Sequence, residues 1–166
     1  AAMDRVMTPS ELRDRYAGRF ERWIRARLPP EVAAHIDAAR LVEDAIDRVA
    51  VDLDRLPNET ATLARLRDEL RTQLEAHLRP FAPGDTRQPA TIELVGVPGR
   101  PASAVVERYD ASLRRLSEQD RQALILRLEL GLGWEDVAGL LGAPTVASAR
   151  FTVGRALARL AREMAK

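Results

Sequence analysis

Residues 133 to 157 read GWEDVAGLLGAPTVASARFTVGRAL. The spacing predicts two helices joined by a tight turn. Ala138 sits where the helices cross, because a larger side chain there pushes them apart. Gly142 supplies the turn position that favours a left-handed backbone. Pro144 blocks continuation of the first helix. At about 100° per residue, Val146, Ala149, Val153, Ala156, Leu157 and Leu160 of the second helix fall on one side, toward a core. Ala147, Ser148, Phe151, Arg155, Ala158 and Arg159 fall on the other. Phe151 therefore faces away from the core stripe, where a thymine methyl, a neighbouring helix or a protein partner could meet it. A helical hairpin without a DNA role fits this pattern. So does a helix-turn-helix, since base reading needs few side chains and phosphates are held by helix N-termini and scattered arginines.

Composition bounds the rest. A chain of 166 residues has room for one ordinary domain or two small ones. Apolar residues make up 46% but aromatics only 4%, which suits small helical units packed with Leu, Ala and Val. The net charge of +1 excludes a histone-like polycation. Up to residue 85 there are 14 basic and 16 acidic residues; beyond it there are 12 and 9, so the second part is mildly basic at +3. Cysteine is absent, which removes disulfides, thiolate metal sites and cysteine nucleophiles. The two histidines, His35 and His77, are far apart in sequence, so no metal site and no cofactor are expected. No Gly-rich phosphate loop or spaced Ser-His-Asp set appears, and an enzyme is not expected. No apolar run approaches a membrane span and no signal peptide opens the chain, so a cytoplasmic protein is expected.

Upstream, the pattern is helical with one break. A helix starts with Thr8 as N-cap, Pro9 in first position and Glu11 in the first turn. Leu12, Tyr16, Phe20, Trp23 and Leu28 form its apolar stripe, and Pro29 and Pro30 end it. A second stripe runs through Leu41, Val42, Ala45, Ile46, Val49, Leu53 and Leu56, stopping at Pro57. A third repeats Leu63, Leu66, Leu70, Leu74 and Leu78. Residues 80–102 hold five prolines and three glycines, the mark of a linker, with TIELVGV at 91–97 a candidate extended segment. Beyond it, SAVVERYDASLRRL is helical and Ser117 caps a further helix with Asp120 at its third position. That helix ends in glycines at 131 and 133. The fold class expected is all-α: two small helical domains, 1–79 and 103–166, joined by a Pro/Gly-rich linker at 80–102, the second containing the helix-turn-helix.

LRRLSEQDRQALILRLELGLGWEDVAGLLGAP followed by GRALARLAREM resembles the −35-reading domain of the extracytoplasmic-function sigma factors, small two-domain members of the sigma-70 family. Arg121, Gly131, Glu135, Val137, Ala138, Leu141, Gly142, Arg155, Ala156, Leu157 and Leu160 fill that pattern. RYAGRFERWIRARLP and DAARLVEDAIDRVAVDLDRL are similar to helices of the family's promoter-melting domain. The resemblance implies a transcription initiation factor that binds core RNA polymerase and promoter double-stranded DNA and is restrained by an anti-sigma factor. Asp37, Glu43, Asp44 and Asp47 are then the polymerase-binding candidates. Ser148 and Arg155, with Thr152 at the edge of the outward face, are candidates for base edges or phosphates; Arg150 and Arg159 are candidates for phosphates, and Phe151 joins the DNA-facing set.

Four departures are visible. Ala39 and Arg40 occupy the family's acidic pair, and Ala50 and Ile46 stand where aromatic rings are usual. The segment TATLARLRDELRTQ carries Arg65, Arg67 and Arg71 but no ring, although flipped bases need stacking partners. Relative to the commonest pattern, GAPTVAS holds one extra residue, counted back from Arg155. A sigma-like regulator that binds DNA, polymerase or an antagonist without melting promoters is therefore the alternative function.

Overall fold

The structure is a computed structural model that describes residues 7–79 and 103–166. The expected linker, with its segment 91–97, lies outside the described residues. Among the described residues all regular structure is helical, with no strand. The chain divides into two compact units, Ala1–Asp85 with Leu128–Gly131 and Thr86–Arg127 with Leu132–Lys166.

In the first unit, α1 spans Pro9–Arg27. Thr8 starts it as expected: its hydroxyl accepts from the Glu11 N–H, while the Glu11 carboxylate accepts from the Thr8 N–H at 2.9 Å. Two of the otherwise orphaned donors of the first turn, the Thr8 and Glu11 N–H, are satisfied by this reciprocal box. Pro30 then opens a short turn of helix, α2 (Pro30–Ala33), instead of only ending α1, because its fixed φ suits a first helical position.

The next helix, α3 (Ala38–Ala50), is capped by Asp37, whose Oδ1 accepts from the Arg40 N–H at 3.1 Å. The apolar stripe runs on to Leu56, but the helix does not. It stops at Ala50, and the chain tightens into a 3₁₀ turn at Leu53–Arg55. Val51, Asp52 and Asp54 are weak helix formers, and Pro57 disfavours helical backbone at Leu56. Leu53 stays buried through the tighter turn, whereas Leu56 is half-buried.

Asn58 caps α4 (Glu59–Leu78), which buries Leu63, Leu66, Leu70 and Leu74 and leaves Leu78 half-buried. Helix α1 packs on α3, and α3 on α4. Leu12, Phe20, Ile24, Val42, Ile46 and Leu66 are wholly removed from solvent between them. The segment Leu128–Gly131 counts with this unit. Its Glu129 carboxylate receives Arg67 through Nε at 2.9 Å and Nη2 at 3.1 Å, and the Trp23 Nε1–H at 2.7 Å. Burial pushes the Glu129 carboxyl up, but the charges of Arg67 and Arg27 and these hydrogen bonds outweigh it and hold it below the usual range.

The second unit contains α5 (Ser103–Arg115), α6 (Glu118–Leu124), α7 (Trp134–Leu140) and α8 (Val146–Met164). Ser117 caps α6 by accepting from the Asp120 N–H at 3.2 Å, as the sequence predicts. Beyond Leu124 the helix continues as a π-helical turn, Ile125–Glu129. The first three helices of the unit all pack on α8, which is its central element. Ala149, Val153, Ala156 and Leu160 form the buried stripe of α8. Leu157, expected on that side, is 39% exposed. It sits at the edge of the stripe, past the arc that α5, α6 and α7 cover.

Candidate nucleic-acid interface

Between α7 and α8 the chain turns through Gly142 at φ +63°. The Ala143 N–H reaches the Ala138 carbonyl at 2.9 Å and the Gly142 N–H reaches the Gly139 carbonyl at 3.2 Å. This pair of bonds is a Schellman closure, which needs the left-handed residue that glycine supplies without a Cβ penalty. Ala138 is buried. Thr145 then caps α8: its hydroxyl accepts from the Ser148 N–H at 3.1 Å, and the Ser148 hydroxyl accepts from the Thr145 N–H at 3.2 Å and donates to the Thr145 carbonyl at 2.8 Å. Ser148 thus closes the first turn of the helix that presents it.

The outward face of α8 is built around Phe151, 72% exposed. Arg150 and Arg155 beside it are exposed, and among the described residues neither pairs with a carboxylate. The Arg150 guanidinium lies 5.3 Å from the centroid of the Trp134 ring, and Arg127 lies 4.5 Å from the same centroid. Arg127 also donates to the Leu132 carbonyl at 2.7 Å. Thr152 is half-buried and donates to the Ser148 carbonyl at 3.0 Å. Arg159 donates to the Asp120 carboxylate on α6. One helix face therefore presents an aromatic ring and several cations, a chemistry that suits base edges and phosphates in a groove wide enough for a helix.

Sequence reasoning singled out neither Trp134 nor Arg127 as part of this surface. Trp134 is marked in the sequence only by its place after Gly133. Arg127 comes beside it through the π-helical turn, which no spacing rule announces.

The acidic candidates on α3 separate into two edges. Arg13 of α1 bonds Glu43 through Nε at 2.6 Å and approaches Asp47 at 3.5 Å. Asp37 and Asp44 instead line a cleft of about 130 Å³ with Arg40, Leu41 and both histidines, His35 and His77. His77 is held there by a 2.8 Å hydrogen bond between Nδ1 and the Gln73 carbonyl. The meeting of the two histidines is a tertiary fact that their separation in sequence hides. Among the described residues, no three His, Asp or Glu side chains gather to hold a metal ion, and no helix is long and apolar enough to cross a membrane.

Searches against protein-family models, curated proteins and solved structures returned no match to this chain.

Proposed function

We propose that this protein is a transcription initiation factor of the extracytoplasmic-function sigma type. In this reading α7, the Gly142 turn and α8 form a helix-turn-helix that lays α8 in the major groove of promoter DNA. The first unit is the domain that holds core RNA polymerase, through the exposed acidic edges of α3. The observation that carries the reading is the closed α7–α8 hairpin with Arg150, Phe151 and Arg155 on its outward face. Such a helix reads bases with a few side chains and takes register from phosphate contacts. Trp134, at the start of α7, and Arg127, in the π-helical turn before it, extend the same surface toward the flanking phosphates.

A second reading, a regulator that binds without melting DNA, is favoured by one observation. The rings of Tyr16, Phe20 and Trp23, the Phe, Tyr and Trp of the described first unit, are all buried in its core. None is offered to stack on a flipped base. In vitro transcription with core polymerase, on promoters selected by binding, separates the two. Permanganate-reactive thymines in an open bubble support the initiation factor. Promoter binding without a bubble supports the regulator, and no binding of polymerase or DNA overturns both.

A further inference from the structure

We infer that Asp120 is a positioning residue that holds Arg159 off nucleic acid, so that α8 binds DNA with one phosphate contact fewer than its sequence offers. This rests on the reading of α8 as the DNA-facing helix. Four observations carry it. Asp120 is 1% exposed and lies on α6, the helix packed against α8. Its Oδ2 accepts from Arg159, whose side chain remains 43% exposed at the edge of the outward face. The other oxygen, Oδ1, is buried with no hydrogen-bond partner, so this carboxylate depends on Arg159 for most of its compensation. Arg155, one turn earlier on α8, has no carboxylate partner among the described residues, yet its charge acts on Asp120. One buried carboxylate therefore sits beneath two arginines of the face and engages one of them.

The consequence has a definite sign. A phosphate contact contributes about 0.9 to the slope of log affinity against log salt. Arg155 is free to make such a contact, and Arg159 is not. Replacing Asp120 by asparagine removes the charge that holds Arg159 and leaves at most a neutral hydrogen bond to it, so Arg159 can turn to a phosphate and binding to DNA of any sequence tightens. The gain shrinks about 3-fold between 50 and 200 mM salt, as one added phosphate contact requires. A residue that only braces the fold predicts the reverse, weaker or unchanged binding. Discrimination between a selected site and unrelated sequence falls in Asp120→Asn, because the new contact carries no sequence information.

The test is fluorescence anisotropy of the full-length chain on a short duplex of unrelated sequence across a salt series, with circular dichroism confirming helicity. Asp120→Asn is expected to bind several-fold tighter at low salt, with a slope steeper by about 0.9. Arg159→Gln is expected to keep wild-type affinity and slope, while Arg155→Gln loses about 0.9 of slope. The double variant Asp120→Asn, Arg159→Gln removes both charges together, which keeps it folded if either single variant is not; it is expected to match wild type. Loss of affinity or slope in that double variant shows that Arg159 already holds a phosphate and overturns the inference. So does a folded Asp120→Asn chain with unchanged or weaker binding. If wild type and every variant fail to bind duplex at low salt, the DNA-facing reading of α8 itself fails, a different outcome from either of these.

Discussion

Arg13 on α1 bonds Glu43 on α3 at 2.6 Å and reaches Asp47, one turn further, at 3.5 Å. The hydrogen bond and charge of Glu43 raise the Arg13 guanidinium above its already high ordinary value. Two of the four acidic residues proposed to meet polymerase are thus partly neutralised within the chain. A cationic partner must displace Arg13 to use them. Arg13→Ala is expected to tighten binding to core polymerase about two- to five-fold, the worth of one exposed ion pair. Glu43→Arg with Asp44→Arg is expected to abolish co-purification with core enzyme. Equal recovery of wild type and the double variant removes this face from the interface.

The core of the first unit sets the scale for its stability. Phe20 is wholly buried, and Phe20→Ala is expected to cost about 3–5 kcal/mol through lost burial and the cavity left behind. Val51, 83% exposed in the turn after α3, is the control. Val51→Ala is expected to stay within about 0.5 kcal/mol of wild type. Urea unfolding monitored by circular dichroism measures both.

Gly142 and Gly139 differ by three residues and by the sign expected of the same substitution. Gly142 holds φ +63°, so Gly142→Ala forces an L side chain into the left-handed region at about 1–2 kcal/mol. Gly139 lies within α7, and an added Cβ meets nothing within 4 Å. Gly139→Ala is expected to stabilise by about 0.5–1 kcal/mol through helix propensity. Opposite shifts in melting temperature are the expected result, and parallel shifts count against the Gly142 closure.

Acid should weaken the second unit through Asp120. Burial raises its carboxyl, but Arg159, the Ser117 hydroxyl and the charge of Arg155 outweigh that and hold it below the ordinary value. A carboxyl lowered on folding stabilises above its unfolded pKa, about 3.9. That contribution is lost as pH falls through the folded value. Denaturant unfolding from pH 7 down to pH 3 is expected to show a falling acid limb, shallower in Asp120→Asn. An identical limb in the variant means that other carboxylates, Glu129 and Glu69 among them, carry the acid sensitivity.

Trp134 offers an optical test of the DNA surface. With Trp23 replaced by Phe, the half-buried Trp134 ring, approached by both Arg127 and Arg150, is the remaining indole. Its emission is expected to change when duplex DNA is added at low salt, because phosphates draw both guanidinium groups away from the ring. Salt that abolishes binding should restore the original spectrum.

Helices and their ends were legible in the sequence because their causes are local. Thr8 with Glu11, Ser117 with Asp120, and Gly142 before Pro144 each act within one turn of backbone, and the three-to-four spacing of Leu, Ile and Val marks the buried faces. Local preference also misled at Leu56 and Leu157, where apolar periodicity ran past the arc that neighbouring helices cover. What each charged side chain does was decided by tertiary structure. Glu43 faces Arg13, Asp44 enters a cleft with both histidines, Arg159 reaches Asp120, and Arg67 is buried against Glu129. An arginine on a helix surface has the same local signature whether water, a carboxylate or a phosphate awaits it. Only the packing of one helix on another settles which partner lies within 3 Å, and that distance sets whether a charge is spent inside the fold or left for a ligand.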